Sequence, residues 1–234
     1  MHEILNKEEK RITKLQITVS LILVIFLSIT GATYAYFAYS ATNNNTITGD
    51  AASVNLTLNV SRIYPTEESV NTGVLVPQLS TSGSATSPLN NALKNGCIDA
   101  NNNIVCHLYK IVIQNSGGTA TQVVTGKISF FGNPELTTNI STVMPNLKWR
   151  LVSSVNETTP ANCNLGANTD HVASSAGEDF VSELSMVTNS LFTYYIIIWI
   201  GETNSDQPVD VGSTFHGVIE FNSSNGTGVT STFA

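Results

Sequence analysis

The chain has few charged residues for its length, and their balance is one-sided. Asp, Glu, Lys and Arg make up 12% of the 234 residues, and ten basic side chains are outnumbered by seventeen acidic ones. Four of the ten stand in the first fourteen positions, which leaves six basic and fourteen acidic side chains from position 15 onward. A surface that binds nucleic acid needs clustered Lys and Arg. The composition therefore excludes nucleic acid as an expected partner.

The sequence also lacks the spaced motifs of common hydrolases. Zinc proteases need two histidines one helical turn apart with a glutamate between them, and the four histidines of this chain show no such spacing. No G-x-S-x-G motif and no phosphate-binding loop occurs. We therefore expect no enzymatic activity, no catalytic residue and no cofactor.

Cysteine is rare, with three residues in the chain. Cys97 and Cys106 have eight residues between them, and the middle of this segment favours a turn, so we expect these two to form a disulfide. Cys163 is then left as a free thiol; the alternative is a bond that involves Cys163. The oxygen-bearing residues that begin at Asp99 have the spacing of a calcium loop, but the required Gly and Glu are absent. We expect a turn there and no metal.

A long uncharged segment follows the basic start of the chain. No charged residue lies between Lys14 and Asp50. A helix from Leu15 to Ala38 would be about 36 Å long at ~1.5 Å per residue, enough to span a bilayer. The preceding basic residues predict a cytoplasmic amino terminus. The predicted organisation is a cytoplasmic tail (1–14), a signal peptide or transmembrane anchor (15–38), a polar arm (39–50) and an ectodomain (51–234).

The end of the apolar segment offers a cleavage site. Signal peptidases need small residues one and three positions before the cut, and Ala35 and Thr33 meet this requirement. Cleavage would leave Tyr36 as the new amino terminus. The expected partners of this segment are therefore the membrane and a signal peptidase. The alternative is an uncut helix that holds the protein at the membrane, with its ectodomain on the extracellular face.

The stretch TYAYFAYSATNNNTITGDAASVNLTL resembles the signal and start region of TasA/camelysin-type exported proteins of Gram-positive bacteria. In those proteins an aromatic cluster ends the signal, a polar segment follows, and a strand of L-x-L type begins. The resemblance lies within residues 31–60. The matching positions are Ala35, Tyr36, Phe37, Asn44, Asn45, Thr46, Ile47, Gly49, Leu56 and Leu58.

This resemblance implies a structural protein of the cell surface, extracellular matrix or biofilm, exported by a SipW-dependent-type signal. It also implies that the freed amino-terminal arm can add a strand to a neighbouring subunit or to another matrix protein. The arm residues that we expect to take part are Tyr36, Phe37, Tyr39 and Ile47. An extended arm of this kind gains affinity from main-chain hydrogen bonds at a sheet edge.

Past residue 50 the chain alternates between apolar and polar residues in short segments. Val54, Leu56, Leu58 and Val60 alternate with polar residues, which predicts a half-buried strand. Ser87, Pro88 and Gly96 predict one short helix at 87–95. Further strands are predicted at 73–76, 104–114, 122–131, 147–152, 192–200, 215–222 and 229–233. We therefore expect an all-β, antiparallel β-sandwich or jelly-roll-like ectodomain after one amino-terminal hydrophobic helix.

The segment Thr193–Ile200 is apolar on both faces of the expected strand. Tyr194, Ile196, Ile198 and Ile200 share one face, and Tyr195, Ile197 and Trp199 share the other. One face would point into the core, and the second needs another cover. Either a loop or helix of the same chain covers it, or Tyr195, Ile197 and Trp199 form an interaction face for a partner.

Two functions from different classes follow. The first is a non-enzymatic structural protein, secreted or membrane-held. The second is a membrane-tethered module that binds a ligand or carbohydrate through exposed aromatic side chains, with Trp149, Tyr109 and Tyr195 as candidates.

Overall fold

The computed structural model describes residues 47–51, 54–66, 75–80, 87–117, 121–132, 138–203, 205–207, 209–210 and 213–234. The predicted tail and helix (1–38), the cleavage residues Ala35 and Tyr36, and the arm residues Phe37 and Tyr39 lie outside these ranges. Within them, no helix has the length and apolar character needed to cross a membrane.

The described part of the chain consists mainly of antiparallel β-strands, which confirms the all-β class. The strands are β1 Ile47–Ala51, β2 Val54–Tyr64, β3 Cys106–Asn115, β4 Gln122–Gly132, β5 Thr138–Asn139, β6 Leu147–Leu151, β7 His171–Val172, β8 Glu178–Met186, β9 Leu191–Ile200, β10 Phe215–Ser223 and β11 Gly228–Phe233. Two short helices accompany them, α1 Pro88–Lys94 and α2 Ile140–Val143.

The strands form two sheets. The first has six strands in the order β1-β2-β3-β9-β6-β7, and the second has the order β11-β10-β4-β5, with β8 also paired to β4. All of these strand pairs are antiparallel. Strand β1 therefore lies at an edge of the six-stranded sheet.

Side chains from both sheets meet in one hydrophobic cluster, here called the central cluster. In β2, Leu56, Leu58 and Val60 are buried in it, whereas the alternate residues of that strand are half-buried. Phe130 and Phe221 of the second sheet are fully buried in the same cluster. The alternation in the sequence thus reflects one face of each sheet turned towards the other.

Helix α1 follows the predicted boundaries closely. The Ser87 hydroxyl oxygen caps its start by accepting a hydrogen bond from the Asn90 backbone N–H at 3.1 Å, and Pro88 opens the first turn. The chain leaves the helix through Gly96, which has a φ of 72°. A residue without a Cβ is favoured there, because side chains clash at positive φ.

Two parts of the strand prediction are wrong. Of the strand predicted at 73–76, residues 73 and 74 lie outside the described ranges and residues 75 and 76 form no strand, while Gln78 makes an isolated bridge to Gly201. Strand β8 was not predicted, and its alternation is interrupted by register shifts opposite Gly126 and by a positive φ at Glu183. A bulged strand loses the period of two that makes strands visible in a sequence.

Candidate functional site

The second apolar face of β9 is covered by the chain itself. Ile197 and Trp199 have no exposed surface. They belong to an outer cluster, on the side of the six-stranded sheet away from the central cluster, with Leu89 and Leu93 of α1. The remaining members are Tyr64, Ala92, Cys97, Val105, Cys106, Leu108, Val152, Cys163 and Leu165.

The prediction of a partner-binding face at Tyr195, Ile197 and Trp199 is therefore corrected. Ile197 and Trp199 present no surface to a partner, because α1 and the loop that carries Cys163 already bury them. Tyr195 is half-buried at the border of this cluster. The structure shows the other alternative, in which a helix and a loop of the same chain cover this face of β9.

Cys97 and Cys106 join the end of α1 to the start of β3. Their sulfur atoms are 2.10 Å apart and their Cα atoms 4.9 Å apart, in agreement with the predicted disulfide. Cys163 is a buried free cysteine. Its sulfur accepts a hydrogen bond from the Asn156 backbone N–H at 3.3 Å.

The segment between the two bridged cysteines forms a turn held by Asp99. One carboxylate oxygen of Asp99 accepts hydrogen bonds from the backbone N–H groups of Asn101 and Asn103, each at 2.8 Å. These bonds, first of all the one from Asn103, lower the pKa of Asp99. Within the described ranges no group of three or more His, Cys, Asp or Glu side chains could hold a metal ion. The Asp99 carboxylate stabilises the turn through these hydrogen bonds.

A polar cluster marks the border between the covered and uncovered parts of the six-stranded sheet. Glu157 accepts a hydrogen bond from the Tyr195 hydroxyl at 2.7 Å and pairs with the Lys110 ammonium at 2.6 Å. The interaction with Lys110 lowers the pKa of Glu157. Burial, with the hydrogen bond to Glu157, raises the pKa of Tyr195 to about 12. The cluster ties the covering loop to β3 and β9, which the sequence could not show.

Arg150 is a buried cation on the same side of the sheet, with 1% of its side chain exposed. Its Nη1 pairs with Asp170 Oδ1 at 3.0 Å, and its Nη2 donates to the carbonyl oxygens of Gly166 and Asn168. These contacts fasten the loop before β7 onto β6. The arrangement is structural, because every one of these partners belongs to that loop.

A cleft of about 360 Å³ lies where the end of β2, the end of α1 and the 157–160 loop meet. Its walls combine Tyr64 and Pro160 with amide and hydroxyl groups such as those of Asn102 and Thr158. The Tyr64 hydroxyl is already engaged, since it donates to the Asn156 carbonyl at 2.9 Å. The Glu157 carboxylate also lines this cleft.

The aromatic residues proposed for carbohydrate binding are not exposed. Trp149 and Tyr109 each have 2% of their surface exposed. The Trp149 ring stacks on His171, with ring centroids 4.4 Å apart, and His171 Nδ1 lies 2.6 Å from a Glu178 carboxylate oxygen. Glu178 is the first residue of β8.

His107 and Tyr109 form a buried polar pair between the two sheets. His107 Nδ1 lies 3.4 Å from the Tyr109 hydroxyl, and the His107 ring lies beside Phe215. Burial lowers the pKa of His107 to about 4, and the positive charge of Arg62 acts in the same direction. Burial raises the pKa of Tyr109. A neutral imidazole is thus part of the folded core.

Of the predicted assembly arm, the structure describes only its end. Ile47 is the first residue of β1 and lies opposite Leu58 of β2. Strand β2 continues six residues further, to Tyr64. The candidate site is therefore the edge of the six-stranded sheet formed by β1 and β2.

Comparisons with known proteins show no family for this chain. No family model matches it, and no curated protein matches it. One similar solved structure is Spo0M, a sporulation control protein from Bacillus subtilis, at 9% sequence identity and a TM-score of 0.26. The match covers 53% of this chain and 40% of that chain, so this chain spans less than half the length of that protein. Similarity at this level supports neither a shared fold nor a shared function.

Proposed function

We propose that this protein is a non-enzymatic structural protein of the Gram-positive cell surface or extracellular matrix. Residues 15–38 direct it to the membrane, and cleavage after Ala35 releases the ectodomain with Tyr36 at its amino terminus. The arm from Tyr36 to Thr48 then adds a strand to a neighbouring subunit or another matrix protein. We also propose that the two sheets of the ectodomain form a β-sandwich with jelly-roll-like connectivity.

The position of β1 is the observation that carries this proposal. An edge strand offers main-chain donors and acceptors to an added strand. Strand β1 begins at Ile47, opposite Leu58, and β2 extends beyond this pair to Tyr64. The likeness of residues 31–60 to exported matrix proteins supports the same function.

The alternative, a tethered carbohydrate-binding module, has lost its main support. Trp149 and Tyr109 are buried, and Tyr195 is half-buried and bonded to Glu157. Aromatic platforms for sugars need an exposed ring face. The remaining surface for this function is the cleft beside Tyr64. Glycan binding that disappears in Thr158→Trp, which would fill the cleft, would favour the alternative.

Three forms of the protein test the assembly proposal. The form 36–234 carries the whole arm, 46–234 keeps β1 but lacks residues 36–45 of the arm, and 52–234 lacks both the arm and β1. We expect 36–234 to form concentration-dependent polymers in sedimentation and electron microscopy, and 46–234 to remain folded without polymers. If 36–234 forms no polymers over a wide range of concentration and pH, the assembly function is wrong.

The export route is tested separately on native cells. Amino-terminal sequencing of the surface-exposed protein should begin at Tyr36. Recovery of the uncut amino terminus from the membrane fraction would replace the secreted form with the anchored one.

A further inference from the structure

The cleft between the end of β2, the end of α1 and the 157–160 loop has one charged group in its wall. Its volume is about 360 Å³, within the range of about 300–1,000 Å³ that small-molecule pockets occupy. Among the described residues that line it, Glu157 alone carries a charge at neutral pH, and Ile98, Ile104 and Pro160 supply apolar surface. A wall of this composition favours a ligand that joins a positive charge to an apolar stem.

The Glu157 carboxylate keeps one oxygen for a ligand. The Lys110 ammonium at 2.6 Å and the Tyr195 hydroxyl at 2.7 Å both contact its Oε1. No residue in the described part of the chain contacts Oε2, and an ionised carboxylate can accept about four hydrogen bonds in all. The Glu157 side chain is 37% exposed, so a ligand can reach it from solvent. A second cation can therefore share this carboxylate with Lys110.

The loop that carries Glu157 is already held in position. The Asn156 side-chain oxygen accepts a hydrogen bond from the Thr158 backbone N–H at 3.0 Å. The Asn156 main chain is bonded on both sides, since its N–H donates to the Cys163 sulfur and its carbonyl accepts from the Tyr64 hydroxyl. A binding group fixed in this way loses little conformational freedom when a ligand arrives.

The geometry of the carboxylate selects among cations. A guanidinium group binds a carboxylate best through both oxygens at once, and Oε1 is already occupied by Lys110 and Tyr195. A quaternary ammonium has no N–H group to donate. A primary ammonium is a compact charge that can donate to one oxygen. It therefore fits the Oε2 position best.

We propose that this cleft binds a primary ammonium group at the end of a short alkyl chain, as in a lysine side chain or a free alkylamine. The ammonium donates to Glu157 Oε2, and the alkyl chain lies against Ile98, Ile104 and Pro160. Binding at the cleft requires no assembly through the amino-terminal arm. Its test is therefore independent of the test of the proposed function.

The experiment titrates the full chain, purified in a non-ionic detergent, with n-butylamine and with n-butanol as the matched neutral probe. Nuclear magnetic resonance shifts of the Gly96 and Thr158 amides report binding, because both residues line the cleft. We expect n-butylamine to shift these signals saturably and n-butanol to bind at least about tenfold more weakly. The absence of saturable shifts with n-butylamine, or equal affinity for the two probes, would overturn the proposal.

Two substitutions at the carboxylate should act in opposite directions. Glu157→Gln removes the charge but keeps the shape of the side chain, and it should weaken n-butylamine binding at least about tenfold. Lys110→Met removes the ammonium that shares the carboxylate, and it should tighten binding about threefold. If Glu157 only fastened the loop to β3, Lys110→Met would loosen the loop. Weaker binding in this variant would therefore reject the ligand site.

Glu220→Gln is the matched control for net charge. Glu220 lies on β10 in the second sheet and does not line the cleft. Because salt screens distant charges, this change should leave the affinity for n-butylamine within about twofold. A loss equal to that of Glu157→Gln would mean that binding follows overall charge, which contradicts a specific site.

A third probe, Nα-acetyl-lysine-N-methylamide, separates the two sources of the ammonium group. Tighter binding than that of n-butylamine identifies a lysine side chain of a peptide as the ligand. Weaker but saturable binding identifies a free alkylamine. Both results support the ammonium site, whereas saturable binding of the lysine probe that persists in Glu157→Gln would count against it.

Discussion

Removal of the Cys97–Cys106 disulfide tests how the outer cluster is held on the sheet. The bridge closes a short loop with a sequence separation of 9. The chain-entropy relation for a loop of about ten residues gives a loss of ~2.7 kcal/mol of unfolding free energy. For a domain of this size, that corresponds to a fall in Tm of about 5–10 °C.

The bridge also positions α1 over Trp199, which makes a second observable available. Cys106 is the Cα partner of Trp199 in the ladder of β3 and β9, and Leu93 of α1 packs in the same cluster. We expect Cys97→Ala with Cys106→Ala to shift tryptophan emission to longer wavelength before global unfolding, because α1 loosens and Trp199 meets water. Trp149 lies in the central cluster and should not contribute to this early change.

The assay is urea unfolding of the ectodomain, followed by circular dichroism and by fluorescence. The control is Cys163→Ala, which removes a buried sulfur from the same cluster without opening a covalent loop. It should leave the fluorescence transition coincident with the circular dichroism transition. A loss below about 1 kcal/mol in the double variant, with coincident transitions, would refute the argument from loop entropy.

Three further predictions concern charged and titratable groups. The pKa of Glu157 is lowered in the folded state, mainly by Lys110. The stability that Glu157 contributes is therefore present above its unfolded pKa and is lost as pH falls through its folded pKa. Glu157→Gln should lower the free energy of unfolding by up to about 1 kcal/mol at pH 7 and flatten its dependence on pH in urea titrations. The pKa of His107 is lowered to about 4, so stability should fall by roughly 3 kcal/mol as pH drops from about 6.5 to 4, and His107→Gln should remove that slope in pH-dependent melts. Asp170→Ala should cost about 3–5 kcal/mol in urea unfolding, because it leaves the buried Arg150 without its carboxylate, whereas an unchanged midpoint would contradict the pairing.

Local patterns were sufficient for several parts of the fold. Strand β2 follows from the alternation of Leu56, Leu58 and Val60, because one face of a strand is buried and the period is two. The start of helix α1 follows from Ser87, which caps the first turn, and from Pro88, whose fixed φ suits the first helical position. Both effects act within one turn of the helix. The pairing of Cys97 with Cys106 likewise needs only a short turn.

Other features depend on residues far apart in the chain. Glu157 reaches Tyr195 and Lys110 only after the sheet and its covering loop are in place. Trp149 looked available for a ligand, but His171 of the next strand stacks on it. Strand β8 was not predicted because its bulges interrupt the period of two in its own sequence. Its pairing with β4 holds it in the sheet despite these bulges.

The sequence by itself determined the buried face of β2, where α1 begins, and which two cysteines can meet, because those depend on interactions within a few residues. Only the tertiary structure decided what covers Ile197 and Trp199 and where β1 pairs. An apolar face must be buried, but its own residues do not specify whether a helix, a loop or a partner buries it. An edge strand is likewise defined by the absence of a neighbour in the assembled sheet, which no local pattern encodes.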